Sequence, residues 1–517
     1  MVIEDILVFV AAPIKKPINV KVAEALTKMN SVAVDGIVRG PLMPEVQRRL
    51  LREHGWLTEI IKGWYYRSNP LVQAGSTAWL VHFWAFLAQY LESRFGDDYC
   101  LASDASLRMQ SGLTTVPAQI SVIITREDNN LIRLPSGKSI FPMKQAELPA
   151  AREKVHGVWC MTLESSLAVA SAKFFTESKD LAVSALQAAN SHEVLRHIVG
   201  KQAPVLAARL AGAYQHIGRT VDANQIIRTM GVIGYNVKPE NPFTEPVVIL
   251  GGSRTPSPYR HRIRTMWAER RETVLRIFPE PPSPVSKEDY LSRMDDVFVT
   301  DAYNSLSIEG YRVTEELIEK IASGAFDPEQ HNADRQQHDA MAALGYWETF
   351  KLIRVAAGRV FDGEDTATIF DQEHRNWNVA MCGPLIRSGV MKLSDCLGYR
   401  NNVVMIKNSD HVPPPYEAVM DCMEELIERL HEEKEPCVRA ILGHFFFVFI
   451  HPLPDRNGRL ARFTMNTMLA SASYPWTVVR VSERQRYLDA CEAASFGGDI
   501  RPFTEFIAGE LKASLKL

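Results

Sequence analysis

The 517-residue sequence predicts a multidomain α+β chain, with a mixed N-terminal half and an all-helical C-terminal bundle. Three observations carry that expectation. The length exceeds what one hydrophobic core usually serves, so two to four domains are expected. Residues 1–235 switch repeatedly between alternating and helical patterns, with turn residues between them. From residue 285 onward almost every apolar run recurs at helical spacing.

Residues 21–29 and 44–54 read as helices, the second opened by Pro44 and Glu45 and stopped by Gly55. Residues 56–61 and 64–67 alternate around Lys62-Gly63, the pattern of a β-hairpin. Helix, turn, helix and two-stranded wing is the layout of a winged helix, expected over residues 1–70. Its recognition helix would be 44–54, and Arg48, Arg49 and Arg52 are the candidate contacts to duplex DNA. A mixed α/β domain is expected over 71–235. It reads as a buried helix at 78–91, strands at 119–125, 131–135 and 139–143, then helices at 165–175, 180–189 and 192–198. Residues 42–175, with the line YCLASDASLRMQSGLTTVPAQISVIIT, resemble the abortive-infection type IV antitoxin family, which implies this same pairing of winged helix and α/β domain.

Residues 236–284 read as a connector, punctuated by Pro239, Pro242, Pro246, Pro256, Pro258 and the cluster Pro279, Pro281, Pro282 and Pro284. Between Arg254 and Arg276 seven arginines face two acids, Glu269 and Glu272, a local charge of +5. Such runs are ordinarily one solvated face of a helix; contact with nucleic acid is the other reading. The C-terminal domain, 285–517, reads as helices at 287–309, 315–323, 334–355, 366–379, 416–431, 436–449, 458–470, 482–494 and 502–515. One strand-like interruption, 402–406, precedes Pro413-Pro414-Pro415.

Bulk composition is that of an average soluble globular protein, 46% hydrophobic and 23% charged, and the net charge of −3 points to no partner. The seven cysteines are scattered and form no CxxC pair, which argues against a disulfide framework or a zinc site and suits a reducing compartment. The apolar stretches 78–91 and 445–450 are too short to span a bilayer. The N-terminal run MVIEDILVFVAAPIKKP has acids where a signal peptide carries bases, so a cytoplasmic location is expected.

The chemistry concentrates at His451-Pro452-Leu453-Pro454-Asp455-Arg456-Asn457-Gly458-Arg459-Leu460-Ala461-Arg462, between two helices. A loop handing over to a helix start presents unsatisfied N–H groups and partial positive charge, which together bind anions. Arg459 and Arg462 are three apart, share one face of that first turn, and can converge on one polyphosphate. Asp455 supplies a hard oxygen suited to Mg²⁺. His451, at the other lip, titrates where a general base must. A base, a metal carboxylate, an amide nest and two arginines can orient and neutralise a phosphoanhydride under attack.

This segment resembles the Fic signature HxFx(D/E)GNGRxxR, matching at His451, Asp455, Asn457, Gly458, Arg459 and Arg462. The resemblance extends over most of 285–517, through LGYRNNVVMIKNSDHVPPPYEAVMDCMEELIERL, ILGHFFFVFIHP and SERQRYLDACEAAS. It implies an all-α Fic bundle with a β-hairpin flap and transfer of AMP from ATP to a Ser, Thr or Tyr hydroxyl of a protein. His451 would deprotonate that hydroxyl and Asp455 would hold Mg²⁺. Asn457 and Gly458 would line the anion hole, and Arg459 and Arg462 would bind the β- and γ-phosphates.

Two positions depart from the signature. Leu453 replaces Phe, an apolar exchange. Arg456 replaces the first Gly; it is expected to exclude a strongly positive φ and to add a third cation beside the phosphates. Ser305-Leu306-Ser307-Ile308-Glu309-Gly310 resembles the family's inhibitory motif (S/T)xxxE(G/N). It implies that Glu309, with Ser305, makes a bidentate pair with Arg462; as an ordinary helix end, Gly310 would be the C′ residue. The flap Val403, Val404, Met405 and Ile406 would be an exposed edge strand that docks the protein substrate by main-chain pairing.

Two partial motifs are set aside. Ser136-Gly137-Lys138-Ser139 lacks the first glycine of a P-loop, position 132 being Ile, and His192-Glu193 is followed by His197 one residue too late for HExxH. Three other readings stand beside AMP transfer: phosphoryl transfer or AMP removal by the same site, or a DNA-binding, antitoxin-like regulator with an inactive or sensory C-terminal domain. Oligomerisation is open.

Overall fold

The computed structural model describes residues 17–70, 77–112, 115–126, 130–201, 203–244, 257–326 and 334–515. Most of the N-terminal apolar run, to residue 16, and Pro246, Arg254 and Pro256 of the expected connector lie outside the described residues. The chain divides into two compact units: residues 1–99, 117–147 and 156–158 form the first, and residues 100–116, 148–155 and 159–517 the second.

The first unit opens with α1 (Ile18–Val32), β1 (Ile37–Arg39), α2 (Glu45–Glu53), β2 (Leu57–Ile61) and β3 (Trp64–Arg67). The strands form an antiparallel sheet in the order β1-β3-β2. The two-residue loop Lys62-Gly63 closes the β2–β3 hairpin, with Gly63 at φ 83° as such a tight turn requires. Ala25 and Met29 of α1 and Leu51 of α2 pack with Val38, Leu57 and Tyr65 of the sheet. The expected helix 78–91 is two helices, α3 (Thr77–Val81) and α4 (Phe83–Phe95), parted at His82 (φ −91°, ψ 2°). Trp64 meets Phe86 and Tyr90 of α4 edge-on, with centroids 5.8 and 5.7 Å apart. After β4 (Tyr99–Leu101) and α5 (Ser103–Gln110) come β5 (Gln119–Ile124), β6 (Ile132–Arg133) and β7 (Ser139–Lys144). β7 pairs parallel with β5 and antiparallel with β6.

In the second unit, β8 (Arg152–Val155) and β9 (Val158–Met161) lead to α6 (Leu163–Leu167), α7 (Ala172–Glu177), α8 (Lys179–Ala188), α9 (Ser191–Lys201), α10 (Pro204–His216) and α11 (Thr220–Val232). These helices share a core that includes Phe174, Leu186, Leu210, Tyr214 and Ile226. The segment expected to be a connector contains α12 (Pro258–Ile277), which packs against α8 and two later helices, α17 (Val419–Glu432) and α18 (Pro436–Ile450). Three of its arginines face acids of the bundle. Arg260 pairs with Glu424, Glu425 and Glu428, Arg264 with Glu425 at 2.8 Å, and Arg271 with Glu433 at 2.9 Å. The excess charge that composition displays is cancelled by acids about 160 residues further along, which no local count can register.

The C-terminal bundle comprises α13 (Lys287–Ile308), α14 (Glu315–Ala322), α15 (Asp334–Phe361), α16 (Thr366–Arg387), α17, α18, α19 (Asn457–Ala470), α20 (Arg484–Ser495) and α21 (Arg501–Ser514). α18 is apolar all round because other helices surround it; eleven of its fifteen residues are buried. It feeds α19 directly, and the two are extensively packed. The expected β-hairpin flap is not formed: among the described residues no strand occurs after β9. Residues 402–406 lie outside any helix or strand.

Candidate functional site

The site is built where α18 ends and α19 begins. His451 caps α18 in the left-handed region (φ 52°, ψ 56°), and Arg456 precedes α19 in the same region (φ 73°, ψ 5°). The expectation that Arg456 excludes a positive φ is therefore corrected: a non-glycine residue can hold αL at roughly 1–2 kcal/mol if its surroundings fix it. Here they do. The Arg456 side chain is buried, its Nε donates to Asn378 Oδ1 on α16 at 3.0 Å, and its Nη1 lies 3.7 Å from Asp455. It anchors the loop to α16 and braces Asp455 rather than standing free as a third phosphate cation.

Asn457 also differs from expectation. Its Oδ1 accepts from the Leu453 N–H at 3.0 Å and its Nδ2 donates to the Leu453 carbonyl at 2.9 Å, so the side chain closes the loop on itself. The anion-facing groups are backbone ones. Hydrogen bonding in α19 begins with the Leu460 N–H to the Arg456 carbonyl, which leaves the N–H groups of Asn457, Gly458 and Arg459 outside the helical ladder.

Both arginines of the first turn are buried, at 2% and 3% relative exposure. Arg459 donates to Asp455 Oδ2 at 3.2 Å, and its guanidinium carbon lies 4.9 Å from the Tyr311 ring centroid. Arg462 donates from Nε to Ser305 Oγ at 2.9 Å and from Nη2 to the Ser305 carbonyl at 3.0 Å and Glu309 Oε1 at 2.7 Å. The bond to Glu309 is thus single rather than bidentate, because Nη2 is shared with the backbone of the turn before. Burial disfavours the Arg462 charge, but Glu309 outweighs it and the guanidinium stays firmly protonated. Among the described residues, Nη1 of Arg462 and Nε of Arg459 are buried without a hydrogen bond of normal geometry, while the Tyr487 and Tyr311 hydroxyls interact with the two guanidiniums. Buried donors left so can take the oxygens of a ligand.

Glu309 stands over the start of α19. A Cβ on Gly458 would lie 2.4 Å from Glu309 Oε1, so only glycine lets the carboxylate sit there. The turn that delivers it ends α13 in a Schellman motif: Gly310 is at φ 92°, its N–H bonds the Ser307 carbonyl, and the Tyr311 N–H bonds the Leu306 carbonyl. Arg484 adds a bond from Nε to the Ile308 carbonyl at 2.7 Å. Tyr311, next along, lies between Arg459 and His338, with which it stacks at 5.7 Å.

His451 Nδ1 donates to the Val448 carbonyl, 3.2 Å away; a carbonyl only accepts, so Nδ1 carries the proton and Nε2 is the free base. Burial, helped by Arg400, lowers its pKa to about 4, so the imidazole is neutral and proton-accepting at pH 7. Asp455 is exposed. Burial would raise its carboxyl, but Arg459 and Arg456 outweigh that and hold it ionised. One exposed, ionised carboxylate fits Mg²⁺, which takes one or two such oxygens and completes its octahedron with water and phosphate. In the flap, Val403 and Met405 are exposed while Val404 and Ile406 are half-buried, so exposure alternates along the segment.

In the first unit the three candidate DNA contacts do not share one outward row. Arg48 and Arg52 turn onto the Tyr65 ring, at 5.7 and 5.9 Å, and Arg52 also reaches Glu59 at 3.4 Å. Arg49 and Arg52 are exposed and Arg48 half-buried; Arg49 lies 3.8 Å from Glu53.

Sequence reasoning missed Tyr311, Asn378 and Arg400. Tyr311 directly follows the inhibitory pattern and was within reach; the other two touch the site only through the fold.

Residues 387–469 match the Fic/DOC family, so the chain carries a Fic/DOC domain there. It is 39% identical over 114 residues to a protein adenylyltransferase Fic of Nematostella vectensis, covering 21% of this chain and 26% of that protein. It is 30% identical over 121 residues to the protein adenylyltransferase fic-1 of Caenorhabditis elegans, covering 23% of each. The chain thus spans about a quarter of the length of the curated relatives it matches. A solved structure of Fic-1 (aa134–508) from C. elegans aligns over 65% of this chain and 96% of that one, at 16% identity and a TM-score of 0.35.

Proposed function

We propose that this protein is an adenylyltransferase that moves AMP from ATP to a Ser, Thr or Tyr hydroxyl of a protein, and that Glu309 holds it inhibited. The activity follows the names of its relatives over the Fic region. The observation that carries the inhibited state is the Glu309 carboxylate bonded to Arg462 above the start of α19.

The acceptor segment lies along Val403–Ile406, which brings its hydroxyl to His451. Nε2 of His451 takes the hydroxyl proton, while the Nδ1 bond to Val448 keeps the ring in the accepting tautomer. The N–H groups at the start of α19 hold phosphate oxygens; the hydroxyl oxygen bonds to the α-phosphorus as the α–β anhydride bond breaks, and Arg459 and Arg462 neutralise the β- and γ-phosphates that leave as pyrophosphate. Asp455 would hold Mg²⁺, which, when bound, shields the phosphate charge from the incoming oxygen. With Glu309 in place, Arg462 is occupied and the triphosphate sits askew. A misplacement of about 1 Å costs on the order of 10²-fold. A closed state favoured by roughly 2–3 kcal/mol leaves about one molecule in 30 to 150 competent.

The experiment is incubation of wild type and Glu309→Gly with a cell lysate and ATP labelled at the α- or γ-phosphate. α-Label on protein, raised ~10- to 10²-fold in the variant, is the expected result. γ-Label identifies phosphoryl transfer instead, and equal α-label in both proteins removes Glu309 from control.

A further inference from the structure

We propose that Arg400 is the positioning residue of the base: one guanidinium fixes the backbone of His451 and closes the foot of the flap, so that the base and the docked hydroxyl are held by the same group. This rests on the reading of His451 as the proton acceptor.

Arg400 is 4% exposed, and among the described residues no carboxylate lies within ion-pair distance of it. Its donors go to carbonyl oxygens. Nε donates to His451 at 2.8 Å, Nη2 to Ile450 at 3.4 Å and to Pro414, and Nη1 to Asn402 at 3.1 Å. Its backbone N–H adds the Pro452 carbonyl at 2.8 Å. The carbonyls of Ile450, His451 and Pro452, three in succession, therefore all end on one residue.

That arrangement answers two costs at once. The last carbonyls of α18 have no intrahelical partner and carry the negative end of the helix dipole, so a cation there needs no carboxylate. Burial lowers the Arg400 pKa to about 10, which still leaves it charged at neutral pH. His451 is a non-glycine residue in αL, a conformation that persists only where its surroundings over-determine it. Bonds to the carbonyls before, at and after His451 supply that determination, and the direction of the imidazole follows from it.

The bonds to Asn402 and Pro414 lie at the two feet of the flap. The segment between them presents Val403 and Met405 outward, and its far side is tied by His411 Nε2 to the Phe449 carbonyl at 2.8 Å and by the Asp410 N–H to Glu492 at 2.8 Å. Flap and base thus share one anchor. Lysine cannot reproduce it, because three donors on one nitrogen do not span carbonyls at four separate positions.

The test places Arg400→Lys and Arg400→Gln in the full-length Glu309→Gly protein. Two readouts are taken: initial rates with α-labelled ATP and lysate protein as acceptor, and amide exchange in peptides covering 402–414 and 448–456. The expected result is a Vmax lowered ~10²-fold in both variants, a KM for ATP within about 2-fold, and faster exchange in both peptides together. Restoration of Vmax by lysine overturns the proposal, since charge alone would then suffice. So does unchanged exchange in either peptide. Loss of cooperative melting in both variants overturns it too, because Arg400 would then be a scaffold residue. If the Glu309→Gly parent transfers no α-label, the AMP-transfer reading fails, while amide exchange still decides whether Arg400 couples flap and His451.

Discussion

Two helices of the second unit carry arginines in closely similar company, and only one of them forms a site. On α12, Arg260 and Arg264 surround Glu425, which is fully buried on a neighbouring helix, and Arg271 meets the buried Glu433. On α19, Arg462 meets Glu309, whose side chain is 32% exposed and which caps the end of α13 at a glycine turn. The arginine of α19 is buried and those of α12 are half-buried, Arg271 the most open at 34%. The difference lies in the counter-ion. Glu425 cannot leave without unpacking α17 from α12, whereas Glu309 can swing from its turn while α13 stays packed. On the function proposed above, a structural arginine and a ligand-binding arginine are separated by whether the partner is free to go.

The largest expected effect sets the floor for that comparison. His451→Ala leaves both arginine sets intact and should lower α-label transfer ~10²–10⁴-fold with ATP binding retained; transfer at the parental rate would remove His451 from its role. Next, Arg462→Ala in the Glu309→Gly background should forfeit the gain of Glu309→Gly and fall on the order of 10²-fold below that parent. Its rescue by Glu309→Gly would mean that the arginine serves only to hold the inhibitor. On the other helix the order of effects reverses. Glu425→Ala removes the one fully buried acid of the cluster while Arg260 and Arg264 keep Glu428, and should destabilise the protein by about 1–3 kcal/mol, read in denaturant unfolding, without changing transfer per folded molecule. If stability is unchanged while transfer changes, the two clusters are not different in kind.

The smaller effects sharpen the contrast. Glu309→Asp, one methylene shorter, should raise transfer by less than Glu309→Gly does; an equal rise would say that reach, not charge, sets the lock. The pH profile should be flattest of all. Because the His451 pKa lies at about 4, below the ordinary 6.5, the base stays unprotonated across neutral pH, and its contribution is lost only as pH falls through about 4. A rate that halves near pH 6.5 would place His451 in a wetter setting than the one described.

The order of residues along the loop made the site legible, because His451, Asp455, Gly458, Arg459 and Arg462 are local to one another and their chemistry depends on spacing. What spacing could not convey were contacts between distant segments. Arg456 read as a free cation because Asn378, 78 residues away, is invisible from the loop. α12 read as a basic connector because its acids lie beyond residue 420. The flap read as a strand because alternation gives an extended backbone, but a strand also needs a neighbour, and pairing is not a local property. The hairpin of β2 and β3 was legible for the opposite reason: its partner is two residues away across Lys62-Gly63.

The contact between Glu309 and Arg462 spans 153 residues, and its direction along the chain gives it a history. Synthesis runs from the N-terminus, so the carboxylate on the end of α13 leaves the ribosome first. At roughly 5–20 residues per second it precedes the arginine by about 8–30 s. As the inhibitor proposed above, Glu309 is made before the arginine it holds, and no molecule completes α19 without that carboxylate already present to meet it.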